Sequence, residues 1–224
     1  FGADTVRTAW MCAGPPEQSF EWSEAGLEGA ARFLKRLWTM VHEHAATGPV
    51  PALDVAALSA QAKTLRRKTH ETLQKADDDY GRRQQFNTVV SAVMELLNTV
   101  GKTDLANDAD RGAVQEAWVS AVLIISPIAP HIAHELWTVL GMHEPLVGYP
   151  WPVVDASALE QDSLTLVVQV NGKVRGQIDV SAGSDKEAIL AFAKADANVS
   201  RHIEGKTIRK EIVVPNKLVN IVVG

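Results

Sequence analysis

Apolar residues recur at steps of three and four through the first 140 positions, the spacing that lines up one face of an α-helix. Leu27, Ala30, Leu34, Leu37, Trp38 and Val41 form one such stripe behind Ser23, a residue suited to cap a helix start, and Arg32, Lys35 and Arg36 fall on the other side. Upstream, Asp4 is expected to cap a short helix through Ala13. Gly14-Pro15-Pro16 ends it, because proline lacks an amide donor and restricts the residue before it. Gly48-Pro49-Val50-Pro51 is a second break. Asp54 is expected to open the next helix, with Leu58, Ala62, Leu65 and Leu73 on one face and Arg66, Arg67 and Lys68 on the polar side. Asp77, Asp78 and Asp79 lead through Tyr80, Gly81, Arg82 and Arg83 into another stripe, Phe86, Val90, Val93, Leu97 and Val100. After a polar connection from Asn107 to Asp110, a strongly apolar helix runs from Ala113 to Ile125. It is interrupted at Pro127 and Pro130 and resumes to Leu140, where Gly141 stops it. Such a series predicts a helical bundle over residues 1–144.

The pattern then changes. Residues 145–163, with Pro150, Trp151 and Pro152 among small and acidic residues, read as a linker. Beyond it Leu164, Leu166 and Val168, then Val174, Ile178 and Val180, alternate with polar neighbours, the two-residue period of paired strands, and Asn171-Gly172 marks a hairpin turn. A two-residue loop would set Val168 opposite Arg175, apolar face against charged face. A three-residue loop of Val170, Asn171 and Gly172 with a bulge is therefore expected, pairing Val168 with Val174 and Gln169 with Lys173. Ser184 and Glu187 suggest a capping box for a helix through Ala195. Two more strands follow, Thr207 to Val214 and Leu218 to Val223, turning at Pro215-Asn216-Lys217. Residues 164–224 thus read as a small β-β-α-β-β domain near the lower size limit for an independent core, and the whole chain as α+β.

Composition narrows the possibilities. The 224 residues are 46% apolar and 22% charged with a single cysteine, so no internal disulfide or thiol-rich zinc site is available and a cytoplasmic setting is expected. The apolar run from Ala121 to Pro130 is too short and too proline-rich to span a bilayer, so no membrane partner is expected. The chain starts at Phe1 with no signal pattern and reads as the start of a fragment. The net charge of −5 is uneven: residues 163–224 hold nine Lys and Arg against six Asp and Glu, a balance of +3, which leaves −8 for residues 1–162. An acidic body with a basic tail is an asymmetry that can signal nucleic-acid contact, though +3 is a modest excess.

Little else promises chemistry. His131 and His134 with Glu135 lack a third ligand at a diagnostic spacing, and His42 and His44 are placed to cap a helix end. No phosphate loop, dinucleotide fingerprint or glycine-flanked serine nucleophile occurs, and Cys12 reads as a packed residue. No catalytic residue, metal site or cofactor is expected within the chain. What remains are basic clusters that could meet phosphates: Arg66, Arg67 and Lys68; Arg82 and Arg83; Lys173 and Arg175; and Lys206, Arg209, Lys210 and Lys217. In the expected register Lys173 and Arg175 share an exposed face beside a turn with free amides.

Several stretches resemble one family. FGADTVR and PPEQSFEWSEAGLEGAARFLKRLW resemble the segment after the KMSKS loop of bacterial leucyl-tRNA synthetases, class I enzymes that join leucine to its tRNA using ATP. LRRKTHETLQK, RRQQFNTVVSAVMELLN and SPIAPHIAHELW resemble that family's helical anticodon-binding-type domain, and VVQVNGKVRGQIDV with KTIRKEIVVPNKLVNIVV its small C-terminal domain. The resemblance implies a monomeric enzyme whose ATP, Mg2+, leucine and editing sites lie in domains upstream of this chain. It also implies that this portion docks tRNA(Leu), the bundle through Arg66, Arg67, Lys68, Arg82 and Arg83. The tail domain would meet the tRNA elbow and long variable arm through Lys173, Arg175, Lys206, Arg209, Lys210 and Lys217. The competing expectation is a protein-interaction module, with the bundle docking another synthetase or a regulator.

Overall fold

A computed structural model describes residues 1–19, 21–160, 163–181, 183–214 and 217–224. The chain divides into two compact units, residues 1–159 and residues 160–224.

The first unit is built from α1 (Ala3–Ala13), α2 (Glu24–Ala45), α3 (Ala60–Asp78), α4 (Phe86–Val100), α5 (Asp110–Ile125), α6 (Pro130–Val139) and the four-residue α7 (Ala156–Leu159). Ser23 caps α2 by accepting from the Gly26 amide, and Leu27, Ala30, Leu34, Leu37 and Val41 are buried as their spacing predicts. Trp38 stays partly exposed and stacks on His42. Helix α5 is apolar nearly all round, and it supplies Ala117, Trp118, Ala121, Val122, Ile124 and Ile125 to the centre of the core.

Two caps differ from expectation because the acceptor serves another element. Gly2 stands at the start of α1, and the Asp4 carboxylate instead reaches α6, where it accepts from the Ile132 amide and bonds His131 Nδ1, each at 2.8 Å. Those donors belong to a helix N-terminus, which needs acceptors and favours negative charge. Asp54 caps only a one-turn 3-10 helix, Val55–Ala57, while Ser59 caps α3. Asp110, fully buried at the head of α5, accepts from the amides of Ser59 and Ala106 at 2.9 Å each and so joins two loops.

The linker expected at residues 145–163 is also corrected. As far as Leu159 the segment lies on the bundle: Leu146 enters the core, Tyr149 packs edge-on against Trp137, and Trp151 does the same against Tyr80. The Trp137 indole donates to the Glu144 carbonyl at 2.7 Å. Prolines and mixed spacing hide a segment that packs by individual aromatic rings rather than by a periodic face.

The second unit contains β1 (Ser163–Val170), β2 (Lys173–Ser181), α8 (Lys186–Ala195), α9 (Ala197–Ile203), β3 (Ile208–Val214) and β4 (Leu218–Val223). The strands form one sheet in the order β2-β1-β4-β3, with β1 and β4 parallel and the other pairs antiparallel. Leu166, Val168, Ile178, Val180, Val219, Ile221 and Val223 form a core with Leu190, Ala193 and Val199 of the two helices. The helix expected through Ala195 is α8, and a second, unexpected helix follows it: Asp196 caps α9 by accepting from the Asn198 and Val199 amides, while Asp185 rather than Ser184 caps α8.

The hairpin register is corrected as well. Asn171 and Gly172 alone form the turn, with φ of 51° and 77°, and Val170 pairs directly with Lys173. Positive φ at both central residues is what a type I′ turn requires, and it matches the strands' twist. The apolar faces are brought into line a little further on: Gln169 pairs with Val174, Arg175 bulges out, and Val168 then faces Gly176. The bulge is there, but in the second strand instead of the turn. The second expected turn falls on Pro215 and Asn216, outside the described residues.

Candidate nucleic-acid interface

The five bundle cations are engaged within the bundle. Arg66 is the most enclosed of them, with only 6% of it exposed: its Nε lies 3.1 Å from Glu116 Oε2 and its Nη2 2.7 Å from Asp155 Oδ2. It fastens residues 145–159 to α3 and α5. His70, one turn on, accepts the Asp155 amide at Nδ1, which leaves its Nε2 to donate to Glu116 Oε1 at 3.1 Å. Arg66 and the Ser157 hydroxyl and amide hold the Asp155 carboxyl far below the usual carboxylate range. Arg67 lies against Glu71, Lys68 is 2.7 Å from Glu95, and Arg82 makes two bonds to Asp78.

Arg83 pairs with Asp79 at 2.8 Å, and this carboxylate is fully buried. Burial alone would raise its pKa, but Lys75, Thr88 and Arg83 around it hold the group ionised and its pKa below the usual value. Asp79 also opens a one-turn π-helix, Asp79–Arg83, whose end at Gln84 is left-handed. The sequence cluster that reads as a basic patch is the staple of a helix junction.

In the second unit the sheet gathers its cations differently. Strands β1 and β4 end, and β2 and β3 begin, at one end of the sheet, where Val170 pairs with Lys173 and Ile208 with Val223. Thr207 and Gly224 exchange two backbone hydrogen bonds there. That end carries Lys173, Arg175, Lys206, Arg209 and Lys210. Lys173, Arg209 and Lys210 have no ion-pair partner among the described residues. Lys206 donates to the His202 carbonyl at the end of α9, and Arg209 lies against the Gly224 backbone. Arg175 is half-buried in the bulge, and its carbonyl accepts from Asn198 Nδ2. Because Val170 is a core residue, Lys173 opposite it is not on the outward face that the expected register gave it. Lys217 is not part of this group: it follows β3 and precedes β4, at the opposite end.

Sequence reasoning missed Arg201 and His202, in the last turn of α9 just before Lys206. Their signal would have been a second helix after Asp196. Among the described residues no three His, Cys, Asp or Glu side chains are grouped to hold a metal, and no helix is long and apolar enough to cross a membrane. Cys12 packs against the core, and burial pushes its thiol up to about 11, which makes it a poor nucleophile.

A helical unit and a small mixed sheet with one basic end define the chain as an α+β protein. The family model for the anticodon-binding domain of tRNA ligase matches residues 62–190, from α3 into α8, and the chain belongs to that family. At the level of individual proteins it is similar to the leucine–tRNA ligase of Thioalkalivibrio sulfidiphilus, 56% identical over 223 residues, covering 100% of this chain and 27% of that protein. It is equally similar to the leucine–tRNA ligase of Stenotrophomonas maltophilia, 56% identical over 225 residues, covering 100% of this chain and 26% of that protein. The chain therefore spans about a quarter of the length of the curated relatives it matches. Among solved structures, the Agrobacterium radiobacter K84 agnB2 LeuRS, in a ternary complex with tRNA and LeuAMS, shares the fold. The TM-score is 0.80 at 23% identity, covering 100% of this chain and 29% of that one.

Proposed function

We propose that this chain is the tRNA-docking portion of a leucine–tRNA ligase and that it contributes placement rather than bond making. Leucine, ATP and Mg2+ would be handled by residues outside it. Its identity with leucine–tRNA ligases along its whole length supports the choice of tRNA(Leu) as the RNA. The observation that carries the docking role is the gathering of Lys173, Arg175, Lys206, Arg209 and Lys210 at one sheet end, with no carboxylate paired to Lys173, Arg209 or Lys210 among the described residues. Phosphate contacts of this kind set register and orientation without reading bases. Contacts far from the reacting group raise the rate by delivering the acceptor end in one geometry. The elbow and the long variable arm are the tRNA features this end is assigned to meet.

A gel-shift titration of the 224-residue chain with tRNA(Leu), beside a tRNA with a short variable arm, tests the reading. Tighter binding of the long-armed tRNA is the expected result. Equal affinity for both, or no binding at moderate salt, would overturn it.

A further inference from the structure

The Asn171-Gly172 turn was expected to offer free amides to a phosphate. It has none to offer, because the turn is tied to β4 by four hydrogen bonds. The Asn171 amide donates to the Ile221 carbonyl at 3.0 Å. The Asn171 side chain bonds the Val223 backbone twice, donating from Nδ2 to the carbonyl at 3.1 Å and accepting from the amide at Oδ1 at 2.9 Å. The Gly172 amide donates to Asn220 Oδ1 at 3.2 Å. The parallel β1–β4 ladder ends at Val170 and Ile221, and the Asn171 side-chain amide adds one rung beyond it.

This arrangement has a geometric consequence. In the order β2-β1-β4-β3, strand β4 lies between the hairpin that carries Lys173 and the strand that carries Arg209 and Lys210. Tying the turn to β4 therefore fixes Lys173 relative to the β3 cations. An untied two-residue tip would have to be ordered on binding, at a cost in affinity. Asn171 suits the position doubly: asparagine tolerates left-handed φ better than most residues, and its amide carries both a donor and an acceptor.

We infer that Asn171 and Asn220 are positioning residues of the cationic end, fastening the β1–β2 turn to β4 so that Lys173 and the β3 cations meet RNA phosphates in a spacing set before binding. The inference rests on the proposed tRNA-docking role. Neither asparagine carries charge, so their contribution is separable from that of Lys173 by salt dependence.

The test uses the 224-residue chain, tRNA(Leu) titrations over a salt series, and amide hydrogen exchange of the free protein. Asn171→Gly keeps the turn, since glycine accepts the φ without strain, and removes both side-chain bonds. It should accelerate exchange at Val223 and weaken tRNA(Leu) binding about three- to tenfold, the range expected for one or two hydrogen bonds, with the slope of log K against log salt unchanged. Asn220→Ala should give a smaller loss of the same kind, with faster exchange at Gly172. Lys173→Ala should lower the salt slope by roughly one. Asn171→Gly binding as tightly as the parent, or losing affinity through the slope alone, would overturn the inference, as would unchanged exchange at Val223. A parent chain that does not bind tRNA(Leu) would overturn the docking role itself, an outcome distinct from failure of the variants against a parent that binds.

Discussion

In the helical unit Arg66, Arg67, Lys68, Arg82 and Arg83 each place a nitrogen within 4 Å of a carboxylate of the same unit, whereas in the α/β unit Lys173, Arg209 and Lys210 meet none among the described residues. For three of the five, Arg67, Arg82 and Arg83, the difference follows from the helical period. On a helix, a residue four positions away is a neighbour, so Arg67 finds Glu71, Lys75 finds Asp79, and Arg82 and Arg83 find Asp78 and Asp79 within the same turn. At a strand end the residues brought together come from distant parts of the sequence, and their charges accumulate. A run of basic letters is therefore a poor guide to basic surface. The five clustered cations of the bundle are each paired, while the small unit, with nine Lys and Arg, gathers unpaired ones at one end.

The contrast breaks most visibly at Arg66. If it is a structural ion rather than a docking residue, Arg66→Ala removes a buried side chain and leaves Glu116 and Asp155, both partly open to solvent, without their main partner, so stability should fall. Glu116 keeps its bond from His70 and both carboxylates can hydrate, which limits the loss. Urea unfolding followed by helical circular dichroism should show the loss. The folded fraction should bind tRNA(Leu) as the parent does. A variant of parental stability with weakened tRNA binding would return Arg66 to the interface.

A smaller effect separates the two ends of the sheet. The double variant Lys206→Ala with Arg209→Ala should weaken tRNA(Leu) binding and lower the salt slope by roughly two, whereas Lys217→Ala, a charge change at the far end, should leave the slope within error. An equal drop for Lys217→Ala would mean that the basic tail acts through its net charge and not through one end.

Much of this organisation could be read in advance, and the misses share a cause. The α2, α4 and α5 stripes and the alternation in β1 and β2 are local, so spacing alone identified them. Asp4 failed as a cap because its partners, His131 and Ile132, lie more than 120 positions away. Alternation defined the hairpin's faces and required an extra residue, but not where it would sit, since a turn bulge and a bulge at Arg175 satisfy the pattern equally. Arg66 did carry a signal that a charge-based reading passed over. It lies four after Ala62, three before Thr69 and seven before Leu73, all buried, so it shares their face and had to find a carboxylate there. Asn171 and Asn220 had no such signal: nothing in a sequence links two asparagines 49 positions apart until β1 and β4 are known to be parallel neighbours.

The smallest expected effect is the sharpest test of the comparison. Arg82 is the most solvent-exposed of the five bundle cations, with 75% of its side chain accessible, yet it forms a two-pronged pair with Asp78 one turn back. Pairing holds the Asp78 carboxyl below its usual pKa, so the pair stays ionised at neutral pH and presents almost no net charge to RNA. An exposed pair of this kind adds little to stability. Arg82→Ala should therefore leave the urea midpoint within error and tRNA(Leu) affinity within about twofold, with no change in salt slope. Asp78→Asn, which frees the Arg82 guanidinium without removing it, should if anything strengthen binding. Should Arg82→Ala instead lower the slope by one, the RNA would be displacing Asp78 from Arg82, and in-unit pairing would no longer distinguish the bundle's cations from those of the sheet.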